Sequence, residues 1–597
     1  MTSPRAAGPA TSPLSLDPRE SVTGILLALG GLVLVGGAAA YAAALAAHSL
    51  TGGGRATASS EHLAEYLGGL ATTGSLDGAW RAAYDVTPPA TWATAGLLLV
   101  LVSLLAVGVW GVSLLRGRFT AGHSGGRSCG EAEAAAWATA KDEKRLTVPR
   151  DPADRPFRLV AGRSRTTKRL LAAEDCISAV AFGPNGSGKT AGLILPNTIE
   201  WAGSVVMTTA KPQDLTAVLA AHAGRRTWVI APGGAPGVPT AGWSPVDYAE
   251  DPETADRMAG WMVDASGMTG DVRARPWNAQ ARKYLKGLLL AANVSGRGIS
   301  GFVEWAYDGE LASAEVGEIL EQAGHDEALR EYRSTWRIHE EGKGSVMFTA
   351  FGLADTYNRP GVRQACSRSD LTPADLLGPE PAMLLLVTPQ SEVERFTPYF
   401  TALLSAIVHE AETRAAHTGG PVNPRLLLAL DEAGNVFRYP RLPHLLTTAR
   451  GNGVQLLLAY HDIAQIEHLY GGRDVARTVL SNAKMRLLLP GVGDIDTLRY
   501  FSDLLGHTTV GAVSRQTGPD GRRSSSETDH REALAPVHLL QQLPAGHAVL
   551  VYENLPGTRV TLRMWFRDRR LRSLVRPLDQ KPSSTAISTP RRPGEAA

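Results

Sequence analysis

The sequence predicts an α/β protein whose core is interrupted by an all-helical insertion. From about residue 157 onward, short apolar runs alternate with amphipathic stretches, as in folds where helices cover a parallel sheet. A glycine-rich turn at residues 183–190 separates a strand pattern from a helix pattern. Between residues 251 and 344 the strand patterns largely stop and helical periodicity takes over. These three observations define the predicted fold class.

Composition sets broad limits on the domain count and the partners. A chain of 597 residues exceeds what one compact core usually holds, so we expect two or three domains. The 60 Lys and Arg nearly balance the 58 Asp and Glu, so net charge neither favours nor excludes nucleic acid. The three cysteines share no short spacing, so the sequence supports neither a zinc site nor a disulfide framework.

Two uncharged apolar stretches, residues 22–47 and 92–115, each exceed the ~20 residues that a transmembrane helix needs. A cleaved signal peptide is the alternative for the first stretch. Its polar leader of about twenty residues argues against cleavage, and a second stretch of similar length favours a hairpin. We therefore predict a leader at 1–20 and a two-helix transmembrane hairpin at 21–116, with a loop at about 49–90.

Charge asymmetry predicts how this hairpin is oriented. The segment after the second stretch carries Arg116, Arg118, Arg127, Lys141, Lys144 and Arg145. The loop between the stretches has four acidic residues and only Arg55 and Arg81 as basic ones. Because positively charged flanks stay in the cytoplasm, we expect a multi-pass protein of the cell membrane with both termini and the bulk of the chain inside.

The rest of the chain divides by pattern. Residues 117–150 are predicted to be a linker with a short helical piece around 131–141, and residues 573–597, rich in Pro, Ser and Arg, a disordered tail. The α/β domain is assigned to 151–250 and 345–572, and the all-α insertion to 251–344. Strands are expected at 177–182, 204–208, 227–230, 382–387, 425–430, 454–459 and 485–489, followed by a hairpin of 548–552 and 559–564. Helices are expected at 189–201, 254–264, 278–293, 312–322 and 327–339.

The glycine-rich turn matches the phosphate-binding pattern G-x-x-x-x-G-K-[ST] between a strand and a helix. Its residues are Gly183, Pro184, Asn185, Gly186, Ser187, Gly188, Lys189 and Thr190. Glycines let successive N–H groups point at a β-phosphate at the positive end of the next helix. Lys189 is expected to reach the β- and γ-phosphates and Thr190 to bind Mg²⁺. The pattern predicts a site for ATP and Mg²⁺.

A second motif, Asp431-Glu432, ends the apolar run at 425–430. An apolar run of this kind is typical of a buried parallel strand that delivers carboxylates to the carboxyl edge of the sheet. Alone, such a run is common and equally consistent with a structural role. Beside a P-loop, we expect Asp431 to hold Mg²⁺ and Glu432 to orient or deprotonate the attacking water, which makes the chain an ATPase.

Two further residues have candidate catalytic roles. His461 follows the strand predicted at 454–459, where a polar residue can sense the γ-phosphate. Arg450 lies in a glycine-containing turn before that strand and can act as an arginine finger on a neighbouring subunit. A structural histidine and a solvated loop arginine are the alternative interpretations of these two residues.

Taken in order, these motifs resemble the TraG/TraD-like coupling proteins of bacterial conjugation and type IV secretion. The resemblance extends from the first apolar stretch to about residue 570. It includes the P-loop, Lys211, the segment 243–245, Trp277, the segment 344–346, the segments 431–435 and 450–453, Gln465, the segment 469–471 and the segment 543–546. It implies a RecA-like core with an all-α domain behind a membrane hairpin. It also implies homo-hexamers that deliver relaxase-bound single-stranded DNA to the secretion channel proteins.

The resemblance assigns nucleotide chemistry to Lys189, Thr190, Asp431 and Glu432, but three positions depart from the family pattern. Thr209 stands where the family usually has Asp, and Gln213 stands near the usual Glu. His461 occupies the usual position of a Gln. These departures affect the sensing and strand-edge roles and leave the phosphate and metal positions intact.

Other functions remain open on the sequence alone. An FtsK/SpoIIIE-like pump for duplex DNA usually carries a winged-helix domain, for which the residues after Met564 leave little room. A protein-export ATPase also needs a ring with polar loops facing a channel. The segment 514–529, with Arg515, Arg522 and Arg523, is either such a loop or a solvated surface loop. A non-enzymatic scaffold would not need intact Lys189 and Glu432.

Overall fold

The computed structural model describes residues 36–51, 56–100, 103, 134–266, 275–517 and 523–575. The chain divides into two compact units, residues 1–132 and 133–597. Each unit is described by itself.

The N-terminal unit contains two consecutive α-helices, Ser60–Thr73 and Leu76–Ala83. Both begin with a serine cap, because the hydroxyls of Ser59 and Ser75 accept N–H bonds that the first helical turn leaves unpaired. The fully buried Tyr66 and Trp80 form its core. The predicted spans at 22–47 and 92–115 lie partly outside the described residues. None of the helices that the structure describes has both the length and the apolar character that a membrane crossing requires.

The second unit is organised around a twelve-stranded sheet. Its strands are β1 Thr147–Val148, β2 Val160–Ser164, β3 Leu170–Ala172, β4 Ala179–Phe182, β5 Ser204–Thr209, β6 Thr227–Ile230, β7 Met383–Val387, β8 Leu426–Leu430, β9 Val454–Tyr460, β10 Met485–Leu488, β13 His547–Tyr552 and β14 Thr558–Thr561. Strands β11 His507–Thr517 and β12 Arg523–Ala533 form a separate hairpin. The predicted strands of the core and the final hairpin are confirmed, except that the last strand ends at Thr561 and not at residue 564 as predicted.

Seven strands form the parallel part of the sheet, in the order β10-β4-β9-β8-β5-β7-β6. Every residue of β4, β8 and β9 is buried, as expected for strands covered on both faces. Strand β9 lies between β4, which leads into the P-loop, and β8, which leads into Asp431-Glu432. Parallel strands end at the same edge, so both motifs and His461 emerge together.

The antiparallel part of the sheet runs β1-β3-β2-β14-β13 and joins β10 through β13. It includes residues that the sequence assigned to a linker, because β1 pairs with β3 and Glu143 and Leu146 are buried. The short helix predicted around 131–141 is wrong for its described part. The backbone amides of Ala135 and Ala138 instead donate to the carbonyls of His507 and Gly557, which holds this stretch extended.

The helical block between β6 and β7 contains the α-helices Pro245–Tyr248, Pro252–Ala265, Arg275–Val294, Gly298–Asp308, Ser313–Gln322, Asp326–Ser334, Glu340–Asn358 and Pro360–Ala365. Tyr284 and Tyr332 stack at its centre with ring centroids 5.7 Å apart. The insertion was predicted to end at residue 344, within the helix Glu340–Asn358. The helical block therefore continues about twenty residues beyond that boundary.

The remaining α-helices of this unit cover the sheet or connect its strands. They are Leu195–Glu200, Pro212–Ala221, Val393–Thr418, Ala433–Val436, Leu442–Asn452, Ile463–Tyr470, Arg473–Asn482, Ile495–Leu505, Val537–Gln541 and Arg569–Leu574. The segment predicted as a loop at 514–529 is largely β-structure, since β11 and β12 pair over eleven residues each. The β-branched residues Thr508, Thr509 and Val510 favour that strand.

A buried ionic cluster ties three distant parts of this unit together. Glu200, the last residue of the helix that follows the P-loop, accepts hydrogen bonds from Arg155 and from Arg563 Nη1, the latter at 2.7 Å. The three side chains are only 2–4% exposed. Removing one partner of such a cluster leaves the others charged in an apolar environment.

We expect Glu200→Ala to destabilise the second unit by about 3–5 kcal/mol, because buried Arg155 loses its carboxylate partner and Arg563 keeps only Asp568. Urea unfolding followed by tryptophan fluorescence measures the change. Glu321→Ala is the matched control, since Glu321 and its partner Arg333 are 62% and 51% exposed and such pairs contribute less than about 1 kcal/mol. Equal losses in the two variants would contradict a structural role for the cluster.

Candidate nucleotide-binding site

The P-loop follows β4 and adopts a conformation that requires glycine at two positions. Gly186 and Gly188 have φ angles of +84° and +95°, in the region where a side chain is strained. A Cβ at Gly188 would also come within 2.6 Å of Met564 Cε. The chain then enters a π-helical turn, Thr190–Ile194, that continues into the helix Leu195–Glu200. The strand, turn and helix order predicted for this motif is therefore present.

Lys189 is buried inside the loop, with only 5% of its surface exposed. Its ammonium donates a hydrogen bond to the carbonyl of Gly183. Burial lowers the pKa of Lys189, while the carboxylates of Asp431 and Glu432 act in the opposite direction. The ammonium of Lys189 thus lies within the P-loop, within reach of the charges of the Asp431 and Glu432 carboxylates.

Asp431 and Thr190 meet where the sequence predicts a metal site. The Thr190 hydroxyl donates to Asp431 Oδ2, and the Thr208 hydroxyl donates to the Asp431 carbonyl at 2.9 Å. Asp431 Oδ1 is buried and has no hydrogen-bond partner among the described residues. A buried, unpartnered carboxylate oxygen beside a hydroxyl is a suitable donor set for Mg²⁺, which prefers oxygen ligands. The residues present fit the ion.

Glu432 follows Asp431 at the carboxyl end of β8 and lines the same cavity as Lys189 and Thr190. Its φ angle is +54°, a left-handed conformation that is uncommon for a residue with a side chain. Such backbone strain is frequent at functional sites. The two motifs that the sequence placed 241 residues apart (Thr190 to Asp431) are therefore brought together.

His461 lies at the carboxyl end of β9, between the two motifs. Burial and the charge of Lys189 lower its pKa, so the imidazole is neutral at pH 7. The His461 backbone amide donates to Gln465 Oε1 at 3.0 Å, and Gln465 Nε2 donates to Asn435 Oδ1 at 3.4 Å. Gln465 thereby connects the end of β9 with the segment after Glu432. The sensor role of His461 stays a prediction.

Arg450 lies away from the P-loop of its own chain. It is exposed in the last turn of the helix Leu442–Asn452, and not in a turn as predicted, because the αL cap is Gly453. Arg450 precedes the amino end of β9, whereas the P-loop follows the carboxyl end of the parallel strand β4, so the two lie at opposite edges of the sheet. A finger role would have to act on another subunit and stays a prediction.

The site opens into a cavity of about 390 Å³. Its polar lining includes Asn185, Lys189, Thr190, Thr208, Thr209, Lys211, Asp214, Asp431 and Glu432. Met564 and Phe566, which follow β14, complete one wall and were missed by sequence reasoning. Thr209 stands where the family usually has Asp. Its hydroxyl accepts a hydrogen bond from the Lys211 backbone amide at 3.2 Å, which stabilises the turn after β5.

The glycine cradle follows β4, the carboxylates follow β8, and β9 lies between these two parallel strands. This arrangement defines a P-loop nucleotide-binding protein. The family model "Type IV secretory system Conjugative DNA transfer" matches residues 129–588. The chain belongs to this family of conjugative DNA-transfer proteins.

Individual relatives support the same assignment. The chain is 27% identical over 374 residues to the conjugal transfer protein TraG of Escherichia coli, covering 58% of this chain and 57% of TraG. It is 21% identical over 432 residues to protein VirD4 of Agrobacterium fabrum, covering 66% of this chain and 60% of VirD4. The matched region thus spans somewhat more than half the length of these relatives.

Solved structures show the same fold. The unbound conjugative coupling protein TrwBdeltaN70 superposes with a TM-score of 0.54 at 16% identity, covering 74% of this chain and 96% of that one. TrwB in complex with ADP and Mg²⁺ gives a TM-score of 0.54 at 16% identity, covering 74% and 97%. The α/β architecture with a large parallel sheet is therefore that of the TrwB nucleotide-binding fold.

Proposed function

We propose that this protein is an ATPase that couples ATP hydrolysis to the transfer of DNA through a type IV secretion channel. The observation that carries the proposal is the contact between Thr190 of the P-loop and Asp431, with Lys189 and Glu432 in the same cavity. TrwB supports the choice of ligand, since it is known in complex with ADP and Mg²⁺ and with a non-hydrolysable ATP analogue.

Four residues of the cavity (Lys189, Thr190, Asp431 and Glu432) and the nearby His461 are assigned roles in hydrolysis. Lys189 and the loop amides bind the β- and γ-phosphates, and Thr190 and Asp431 hold the metal. Bound Mg²⁺ neutralises charge on the phosphate oxygens. Glu432 orients the attacking water or accepts its proton. Neutral His461 can form a hydrogen bond near the γ-phosphate. Because its backbone amide donates to Gln465, a movement of His461 on loss of the γ-phosphate would be transmitted to Gln465.

We further propose the assembly that the family resemblance implies. The chain is anchored in the cell membrane by the hairpin at 21–116, with most of its mass in the cytoplasm. It forms a homo-hexamer, in which Arg450 reaches the γ-phosphate of a neighbour. The cargo is single-stranded DNA bound to a relaxase, and the docking partners are the channel proteins. The alternatives are pumping of duplex DNA and export of protein.

ATP hydrolysis by the full-length protein in detergent tests this proposal. We expect turnover to be stimulated more by single-stranded DNA than by duplex DNA. We also expect specific activity to increase with protein concentration, because the finger must come from a neighbour. Arg450→Ala should remove most of this increase, whereas Arg477→Ala, at another exposed helix position, should not. Stimulation by duplex DNA alone, or by unfolded polypeptide alone, would favour the corresponding alternative.

A further inference from the structure

A second polar cavity, of about 360 Å³, lies where the segment after β14 meets β2 and β3. Six arginines line it, together with Asp568 and Leu170. The arginines are Arg150, Arg163, Arg563, Arg567, Arg569 and Arg570. We call this site the arginine cavity.

The charges around the arginine cavity do not balance. Arg163, Arg563 and Arg570 are paired with Asp568, Glu200 and Asp151 at 3.3, 2.7 and 3.1 Å. Arg150, Arg567 and Arg569 make no ion pair with any residue that the structure describes. Arg155 also pairs with Glu200, so it is counted with the six arginines of the cavity. These seven arginines are accompanied by three carboxylates, those of Asp568, Glu200 and Asp151, which leaves an excess of four positive charges. Converging cations repel one another, and an anion bound between them offsets that repulsion.

We propose that the arginine cavity binds backbone phosphates of a nucleic-acid strand. Guanidinium groups match phosphate oxygens in a bidentate manner, and weak hydration makes arginine the preferred residue for such contacts. The arginines occupy several depths, from Arg563 at 4% exposure to Arg163 and Arg570 at 37% and 45%. This gradation suits an extended polyanion that reaches in from the surface. The choice of nucleic acid as occupant rests on the function proposed above.

The position of the arginine cavity connects it to the nucleotide site. Arg563 and Arg567 line the arginine cavity, while Met564 and Phe566 between them line the nucleotide cavity. The Trp565 amide donates to the carbonyl of Ala191 at 2.9 Å, immediately after the P-loop. A strand held by the arginines would therefore contact the same short segment that closes one wall of the ATP site, and DNA and nucleotide would influence each other's binding.

The test measures binding of a fluorescein-labelled single-stranded oligonucleotide to the full-length protein, by anisotropy over a range of salt concentrations. The variant is Arg150→Gln with Arg569→Gln, which removes two arginines that have no carboxylate partner and leaves the buried cluster intact. We expect affinity to fall roughly tenfold, and the slope of log K against log salt to become shallower by about 1.4, or about 0.7 per lost phosphate contact. ATP turnover without DNA should be unchanged.

Arg333→Gln with Arg477→Gln is the matched control, since both are exposed arginines away from the cavity and the charge change is the same. Wild-type affinity and slope in the cavity variant, or an equal loss in the control, would overturn the proposal. So would a loss of binding to vesicles containing phosphatidylglycerol with DNA affinity retained, which would assign the cavity to lipid headgroups. If the wild-type protein binds no DNA while hydrolysing ATP, the DNA function itself fails, and this site with it.

Discussion

Lys189→Ala is expected to reduce ATP turnover at least about a hundredfold. Only 5% of the surface of Lys189 is exposed, and its ammonium bonds the Gly183 carbonyl within reach of the charges of Asp431 and Glu432. No other residue of the P-loop is basic. Its removal eliminates the charge that stabilises the β- and γ-phosphates as the γ-phosphate departs. Steady-state phosphate release by the purified full-length variant measures the effect.

Lys211→Ala provides the comparison for this loss. Lys211 lines the same cavity but belongs to the turn after β5, outside the P-loop. We expect a smaller decrease from its removal. An intact fold in the Lys189 variant should be confirmed by its thermal unfolding profile. Turnover within threefold of the wild type in a folded Lys189→Ala protein would contradict the phosphate-binding role.

Glu432→Gln is expected to separate binding from hydrolysis. The amide has the shape of the carboxylate but cannot accept a proton, so turnover should fall by about 10²–10⁴-fold. ATP should still bind, because the P-loop, Thr190 and Asp431 remain in place. A fluorescent ATP analogue measures binding, and phosphate release measures turnover.

The left-handed backbone at Glu432 is the reason for choosing Gln as the replacement. At a φ of +54°, a residue with a different backbone preference would change the local conformation as well as the charge, whereas Gln leaves that preference nearly unchanged. Asp431→Asn should instead weaken Mg²⁺-dependent nucleotide binding. If Glu432→Gln hydrolyses ATP at the wild-type rate, another group activates the water.

Local sequence patterns were sufficient to predict most strands of the core. The apolar runs at 425–430 and 454–459 are long, uninterrupted and buried, and the structure confirms both as parallel strands. The P-loop is recognisable because its glycines and Lys189 are required by phosphate geometry and not by distant contacts. The meeting of Thr190 with Asp431 was predictable from the rule that parallel strands end at one sheet edge.

Features that depend on long-range packing could not be predicted in this way. Residues 134–150 look like a linker because they are rich in charge, but Glu143 is buried and its carboxylate accepts hydrogen bonds from the hydroxyls of Ser164 and Thr167. Met564 and Phe566 reach the nucleotide cavity through long-range contacts: β14 pairs with β13 and β2, and the Trp565 amide bonds the Ala191 carbonyl. No spacing pattern in the sequence relates them to the P-loop.

The P-loop and Asp431-Glu432 are expected to form one metal-nucleotide site. An experimental structure of the full-length protein with a non-hydrolysable ATP analogue and Mg²⁺ tests it most directly. We predict a γ-phosphate beside Lys189 and Glu432, and a metal ion bound by the Thr190 hydroxyl on the side of Asp431. A nucleotide bound elsewhere, or a metal ion without Thr190 among its ligands, would contradict the account.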